Sequence, residues 1–431
     1  MTILGYLGFL ALLSLIALGV PIGLSLFMVG LAGLSIIGSF TTAMTQSTIA
    51  FWSEGTKFVL VSLPFYILMG NLIYHMGIAR RLFTAASYWL GWLPGGLGVA
   101  AVFATAGFSA ISGSSTASAR TMGAIVIPEM RRHGYRMRLA TGLMSSAGTL
   151  GMLIPPSIVL IFYGLMTETS IGKLFIAGII PGILVALIFS TFVIGMALFD
   201  PEQAGRGMEI SDVSWKERML SLLSVFPVLL IFGVIFGGLY FGIFTPTEGA
   251  IIGVVTVLAY AAVTRSLSFT AIKDSLADAS LITVMLFLII VGGTLFTRFL
   301  IQTGFIASIS GVIVALDLTY VQFIVVVTMM YLILGCLLDT FGMMILTVPV
   351  LFPIALQLGI DPIWFGIYVV LVAEIGLVTP PVGVNVFVIK TVAQDVPLGE
   401  IFRGSIPFII AMLLFVAAMT AFPEIVLYLV R

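Results

Sequence analysis

The sequence predicts an all-α integral membrane protein: an inverted-topology repeat carrying two re-entrant helical hairpins and two discontinuous helices. Three observations lead there. The chain is too apolar for a soluble core, its glycine and proline pattern recurs at a fixed offset, and each copy sets a proline pair inside a helix-length apolar run. Of 431 residues, 61% are hydrophobic and 8% charged, with a mean hydropathy of +1.25. Stretches 3–38, 174–199, 219–244 and 402–428 exceed the roughly 20 apolar residues that span a bilayer as helix. Membrane strands would instead show short alternating segments, which are absent, so helices are expected throughout.

The first stretch is too long for a secretory signal and lacks a small-residue cleavage site, so it reads as retained. It is expected to divide into two crossings at "GVPIG", because the matching region of the second half divides at "GIFTPTEG". Eighteen basic residues balance eighteen acidic ones, and no basic stripe exists to neutralise a nucleic-acid backbone. Cys336 stands alone, and His75 and His133 lack ligand-like spacing, so neither disulfides nor hydrolytic metal chemistry are expected. The chain has no P-loop, and no residues in triad or dyad context; an enzyme is not expected.

The repeat is legible by spacing. Pro128 to Pro155 and Pro353 to Pro380 both span 27 residues. At the common offset of 225, Gly134 meets Gly359, Gly151 meets Gly376, Pro156 meets Pro381 and Pro21 meets Pro246. This divides the chain into a first repeat, 1–199, a polar cytoplasmic linker, 200–218, and a second repeat, 219–431. Charge sets their relative orientation. The connection "RRHGYRMR" carries Arg131, Arg132, Arg136 and Arg138, whereas its counterpart "LQLGIDPI" carries only Asp361. Basic loops stay cytoplasmic, so equivalent loops lie on opposite sides of the membrane.

In the first repeat, "SAISGSSTASAR" interrupts an apolar run with small hydroxylated residues and Gly113, which opposes continuous helix. A hairpin is expected over about 93–131, its tip near Ser112 to Ser115, followed by a broken helix over about 136–166. In the second repeat, "LGCLLDTFGMM" predicts the mirrored hairpin over about 319–358, followed by a broken helix over about 362–390. Two successive prolines remove two N–H donors, and freed carbonyls in hydrocarbon cost several kcal/mol unless something replaces the lost bonds. A small cation such as Na⁺ is a suitable replacement, and the positive ends of half-helices can face an anionic substrate.

The blocks "ISGSSTASARTMGAIVIPEM", "GTLGMLIPPSIVLIFYG", "GCLLDTFGMMILTVPVLFPIA" and "EIGLVTPPVGVNVFV" together resemble the large membrane (M, DctM-like) subunit of TRAP transporters, the tripartite ATP-independent periplasmic transporters. The resemblance runs along essentially the whole chain. It implies an elevator-type, Na⁺-driven importer of organic acids in a bacterial or archaeal inner membrane, in contact with membrane lipid. It also implies two partners, a small membrane subunit carried on a separate chain and a periplasmic substrate-binding protein. Matched motif by motif, it implies one Na⁺ cage from Ser112, Ser115, Gly151, Ile154 and Pro155, and a second from Gly335, Gly376, Thr379 and Val382. Ser114, Asp339, Thr340 and Asn385 are the expected lining of the substrate cavity between the tips. Glu374 is expected to find an N–H or arginine partner that steadies the second break, with ion or proton binding as the alternative. A stand-alone ion/dicarboxylate symporter without a binding protein remains the competing function. If the repeats are inverted, in a Cys336→Ser background a cysteine at His133 should react with a membrane-impermeant maleimide only from the cytoplasmic side, and one at Gln357 only from the periplasmic side.

Overall fold

In the computed structural model, residues 1–205, 214–336 and 338–431 are described, so part of the 200–218 linker and Leu337 of the second hairpin turn lie outside the described residues. The first half runs through α1 (Thr2–Ala17), α2 (Ile22–Ile37), α3 (Phe40–Gly55), α4 (Ser62–His75), α5 (Ile78–Leu90), α6 (Gly96–Ser112), α7 (Ser115–Arg132), α8 (Met137–Ala147), α9 (Leu150–Leu153), α10 (Ile158–Thr167), α11 (Ile171–Phe199) and the single turn α12 (Pro201–Ala204). The second half runs through α13 (Trp215–Tyr240), α14 (Pro246–Thr264), α15 (Phe269–Gln302), α16 (Phe305–Ala315), α17 (Tyr320–Leu334), α18 (Thr340–Gln357), α19 (Pro362–Gly376), α20 (Val384–Val392), α21 (Leu398–Ala421) and the turn α22 (Glu424–Leu427). Residues 3–38 thus fall in two helices that separate before Pro21.

Helix starts follow the local chemistry. Ser214, Thr245 and Thr319 each accept from the backbone three residues on, while Glu217, Glu248 and Gln322 bond back to the cap. These reciprocal boxes satisfy donors that the first turn leaves open. Among the described residues, seven helices are long and apolar enough to cross a membrane. The pair Met137–Leu153 and Ile158–Thr167, bent by 45° at its break, makes an eighth when counted as one span. Exposed Ile, Leu, Val and Phe side chains cover the outer faces of α13, α14 and α15, as hydrocarbon-facing helices require.

The scaffold and the central helices pack differently. Along the scaffold, α2 lies on α15, where Cβ atoms on Gly23 and Gly30 would come within 2.9 Å of Ile289 N and 2.8 Å of Phe296 N. Small residues allow this backbone approach, which is how apolar helices gain contact without a hydrophobic driving force. In the centre, every residue of α19 from Trp364 to Gly376 is buried, and so is every residue of α8 from Leu139 to Ala147. A helix that is apolar all round is an interior helix.

The two halves interlock reciprocally. By the 225-residue offset α8 corresponds to α19 and α11 to α21; α8 packs on α21, and α19 packs on α11. At the first crossing Gly142 and Gly404 meet, with the Arg138 carbonyl against Gly404 and a Ser145–Ser405 hydroxyl pair at 2.7 Å beside them. At α19, the Tyr163 hydroxyl donates to the Pro362 carbonyl at 2.7 Å, and the Tyr163 ring fills the space over Gly366.

A Gly142→Val substitution places a side chain where the α21 backbone lies, so it should cost about 3 kcal/mol or prevent assembly. Gly233→Ala, at a lipid-facing position with nothing within 4 Å of the added Cβ, should be neutral or stabilise by up to about 1 kcal/mol. Thermal unfolding in detergent compares the two.

Candidate functional site

The two proline pairs and the two hairpin turns meet around a partly buried centre, with Pro380, Pro381 and Val382 exposed at its edge. In the first hairpin, α6 ends in Gly113, whose φ of +59° is a left-handed conformation that suits glycine. Ser114 follows in extended conformation and caps α7, its hydroxyl accepting from Ala117 N at 3.4 Å. The arms are tied by Ser118, which bonds Ser109 at 3.1 Å and Ser112 at 2.7 Å. In the second hairpin, Asp339 occupies the equivalent capping position and accepts from Gly342 N at 2.8 Å. There the arms are tied by a Tyr331–Thr347 hydroxyl contact.

Each break rests on the tip of its own repeat's hairpin. A Cβ on Gly151 would stand 2.6 Å from the Ser114 carbonyl, and one on Gly113 would stand 2.9 Å from the Pro156 carbonyl. In the second copy, a Cβ on Gly335 would stand 2.5 Å from Gly376 Cα, and the Cys336 thiol reaches the Pro380 carbonyl at 3.3 Å. Both Pro155–Pro156 and Pro380–Pro381 peptide bonds are cis. Ser112, Ser115, Gly151, Ile154 and Pro155 therefore gather at one junction; Gly335, Gly376 and Thr379 gather at the other, with Val382 on its exposed rim.

The donor set at each junction is oxygen. Pro155 and Pro156 stand four residues after Gly151 and Met152 and offer no N–H to those carbonyls. Among the described residues, no backbone donor outside the regular helices reaches the carbonyls of Ile154, Pro155, Pro380 or Val382. Thr379 turns its hydroxyl back to the Ile375 carbonyl at 2.7 Å. Carbonyl and hydroxyl oxygens suit a hard cation such as Na⁺, although at the second junction the Cys336 thiol already donates to the Pro380 carbonyl.

Two bonds connect these parts into one centre. Asn385, on α20, donates its amide to Ser115 of the first hairpin at 2.6 Å, joining the second break to the first tip. Thr340, beside the second tip, donates to Glu374 at 3.1 Å. Asn385 and Thr340 are buried, whereas Ser114 and Asp339 are partly exposed. Glu374 differs from the sequence expectation. Its partner is a threonine hydroxyl, and among the described residues it enters no ion pair. Glu129 pairs with Arg132 and His133, leaving Arg120 exposed on α7.

Sequence reasoning gave no sign that Asn385 and Ser115 touch, since 270 residues separate them. Glu54 was likewise not singled out. It is nearly buried on α3, paired with Lys57 at 2.7 Å and reached by Thr294 of α15 at 3.4 Å. Glu374, singled out from the sequence, has Thr149 as its counterpart at the 225-residue offset.

A family model described as "Tripartite ATP-independent periplasmic transporter, DctM component" matches residues 9–425. The chain belongs to this family. It is similar to the C4-dicarboxylate TRAP transporter large permease protein DctM of Pseudomonas aeruginosa, at 38% identity over 93% of both chains. It is also similar to the sialic acid TRAP transporter large permease protein SiaM of Vibrio cholerae, at 31% identity over 97% of this chain and 96% of that one. Among solved structures, MtrF of Neisseria gonorrhoeae, described as an antimetabolite efflux pump, shares the fold with a TM-score of 0.62 at 14% identity, covering 89% of this chain and 84% of its own. The protein is thus a TRAP large permease subunit, a multi-pass inner-membrane transporter component and not an enzyme.

The Asn385–Ser115 bond should register as coupling. Asn385→Ala and Ser115→Ala should each destabilise the permease by about 1–3 kcal/mol, and the double variant should fall short of their sum by about 1 kcal/mol. A thermal-unfolding cycle on the four proteins reads this, and strict additivity would dissolve the link between the second break and the first tip.

Proposed function

We propose that this chain is the translocating subunit of a Na⁺-coupled secondary importer of organic acids, working by an elevator movement of the hairpins and broken helices against the outer scaffold. The observation that carries this reading is the duplicated junction: a proline break resting on a hairpin tip in each half of the chain, where the carbonyls of Ile154 and Pro155, and of Pro380 and Val382, find no backbone donor outside the regular helices among the described residues. Ser112, Ser115, Gly151, Ile154 and Pro155 would hold one Na⁺, and Gly335, Gly376, Thr379 and Val382 the other. Most would act through main-chain oxygen, so backbone geometry matters more than side-chain identity. When bound, sodium supplies positive charge that replaces the missing N–H donors and fixes each tip on its break.

The partly exposed Ser114 and Asp339 at the two tips mark where substrate would sit, with Thr340 and Asn385 supporting them from behind. The family's tripartite description and the relatives' names as large permeases support two partners, a small membrane subunit and a periplasmic binding protein. The relatives' substrates differ, one a C4-dicarboxylate and one sialic acid, so a carboxylate is the common chemistry proposed for this chain.

Two cations suffice energetically. Each releases about 2.3 kcal/mol on crossing 100 mV. A tenfold gradient adds about 1.4 kcal/mol per ion, or about 7 kcal/mol for the pair. That would sustain roughly a 10⁵-fold accumulation of a solute that carries no net charge across with it.

With its two partners in proteoliposomes, uptake of succinate or sialic acid should require an inward Na⁺ gradient. Uptake that persists undiminished with choline in place of Na⁺ would remove the coupling. In the purified permease, Na⁺ at 100 times its dissociation constant should stabilise the fold by about 2.7 kcal/mol per site relative to choline. Gly151→Ala, whose methyl would press on the Ser114 carbonyl, should weaken that stabilisation by tenfold or more in Na⁺ concentration.

A further inference from the structure

The two hairpins and the two broken helices enclose the centre, and their helices, α6–α10 and α17–α20, carry five cations: Arg120, Arg131, Arg132, Arg138 and Lys390. Arg131 and Arg132 close α7, Arg138 opens α8, and Lys390 stands in the last turn of α20. Arg120 alone lies in a helix interior, five residues past Ser115, where α7 begins. An ionisable side chain at such a depth is costly unless it meets a partner or a water-filled cavity.

No partner within the chain accounts for it. Among the described residues Arg120 enters no ion pair, and it is exposed. Glu129, the one acid of α6 and α7, holds Arg132 at 3.4 Å and His133 at 3.7 Å. Water beyond the helix end is out of reach, because α7 continues for twelve residues after Arg120, about 18 Å at 1.5 Å per residue. Cβ atoms also tilt toward a helix N-terminus, so the stem of Arg120 leans the other way, over the first turn of α7 and toward the hairpin tip.

That turn is polar. Thr116 stands four residues before Arg120, on the same face of α7. Its hydroxyl lies 3.4 Å from that of Ser114, and both side chains are partly exposed. Ala117, exposed beside them, adds only a methyl group and leaves the approach open. A guanidinium and two hydroxyls thus share one open face at the first tip.

The second copy shows that a hairpin of this design does not need them. At the 225-residue offset Thr116 meets Phe341 and Arg120 meets Ile345. Phe341 packs edge-on against Phe162, with ring centroids 5.3 Å apart, and the buried Ile345 fills the space over Gly293 of α15. The same face is an apolar packing surface on one hairpin and a cationic, hydroxylated one on the other. Contact with lipid or with the scaffold calls for the apolar pair; the polar pair calls for a ligand in water.

We propose that Arg120, on the reading of this chain as an organic-acid importer, binds the carboxylate of the solute, with the hydroxyls of Ser114 and Thr116 as further donors to the same group. A guanidinium presents paired N–H donors that match both oxygens of a carboxylate, and charge-assisted pairs of this kind are the strong ones. Asp339, at the other tip, is an acid and repels an anion, so the first hairpin takes the anionic end of the solute and the second faces the remainder. Arg120 selects for charge; it takes no part in the sodium junctions, where main-chain oxygens are the donors.

Two measurements test this. Phenylglyoxal, which modifies water-accessible arginine, is applied to the purified permease in lipid nanodiscs, and the peptide that holds Arg120 is read by mass spectrometry. Arg120 should react, and at least one of succinate, sialic acid, pyruvate and gluconate should slow that reaction where potassium chloride of equal ionic strength does not. With both partners in proteoliposomes, initial uptake of the protecting acid should fall roughly tenfold or more in Arg120→Gln and largely recover in Arg120→Lys. Stabilisation of both purified variants by Na⁺ should match that of the unaltered protein. An unreactive Arg120, reactivity that none of the four acids slows, or full uptake by Arg120→Gln overturns the proposal. Uptake by the unaltered protein that ignores Na⁺ strikes at the coupling and leaves the comparison of variants intact. Should the unaltered protein take up none of the acids, the importer reading fails, and protection from phenylglyoxal alone decides whether Arg120 holds a carboxylate; the same labelling decides if Arg120→Gln does not fold.

Discussion

Proline in a membrane helix imposes the constraint from which the rest of this structure follows. It removes a donor from a helix that has no water to turn to, and a pair of prolines removes two in succession. Such a break can persist only where other groups surround it. Here each break packs on a hairpin tip and on a long helix of its own repeat, the first against Gly178 and Gly182 of α11 and the second beside Phe402 of α21, while Pro380, Pro381 and Val382 stay exposed, as irregular backbone can where it lines a wet cavity. The hairpins, the glycine contacts at Gly151 and Gly335, and the all-round burial of α8 and α19 are consequences of housing those two breaks.

Duplication gives this constraint its functional form. One break would be a kink; two, related by an offset of 225 residues and exchanged across the Gly142–Gly404 crossing, enclose a single centre between them. The reciprocal packing of α8 on α21 and α19 on α11 makes the central helices one unit, while α2, α13, α14 and α15 present apolar faces outward. The central unit is held together by side chains and glycine contacts, with apolar helices around it. The Asn385–Ser115 bond spans the two copies within that unit, so the first tip and the second break are not independent.

The copies are not identical, and the differences sit at the centre. Ser114 and Asp339 cap equivalent helices, as Ser115 and Thr340 begin them, and Thr149 and Glu374 precede equivalent breaks. In each pair the second copy carries the acid or the bulkier hydroxyl. A fold shared with MtrF at 14% identity shows how little of the sequence the architecture itself demands.

By itself the sequence determined the membrane class, the repeat and both breaks, because these rest on signals that are local or periodic: hydropathy, the spacing of Pro128, Pro155, Pro353 and Pro380, and residues that cannot continue a helix. The hairpin arms, now 96–112 with 115–132 and 320–334 with 340–357, fall where small and polar residues interrupt apolar runs, for the same reason. Only the tertiary structure decided which groups meet across those breaks. That Glu374 answers to Thr340 and not to arginine, and that Asn385 reaches Ser115 over 270 residues of chain, depends on how helices cross. Crossings are set by shape complementarity at glycines such as Gly142 and Gly404, which no one-dimensional pattern encodes.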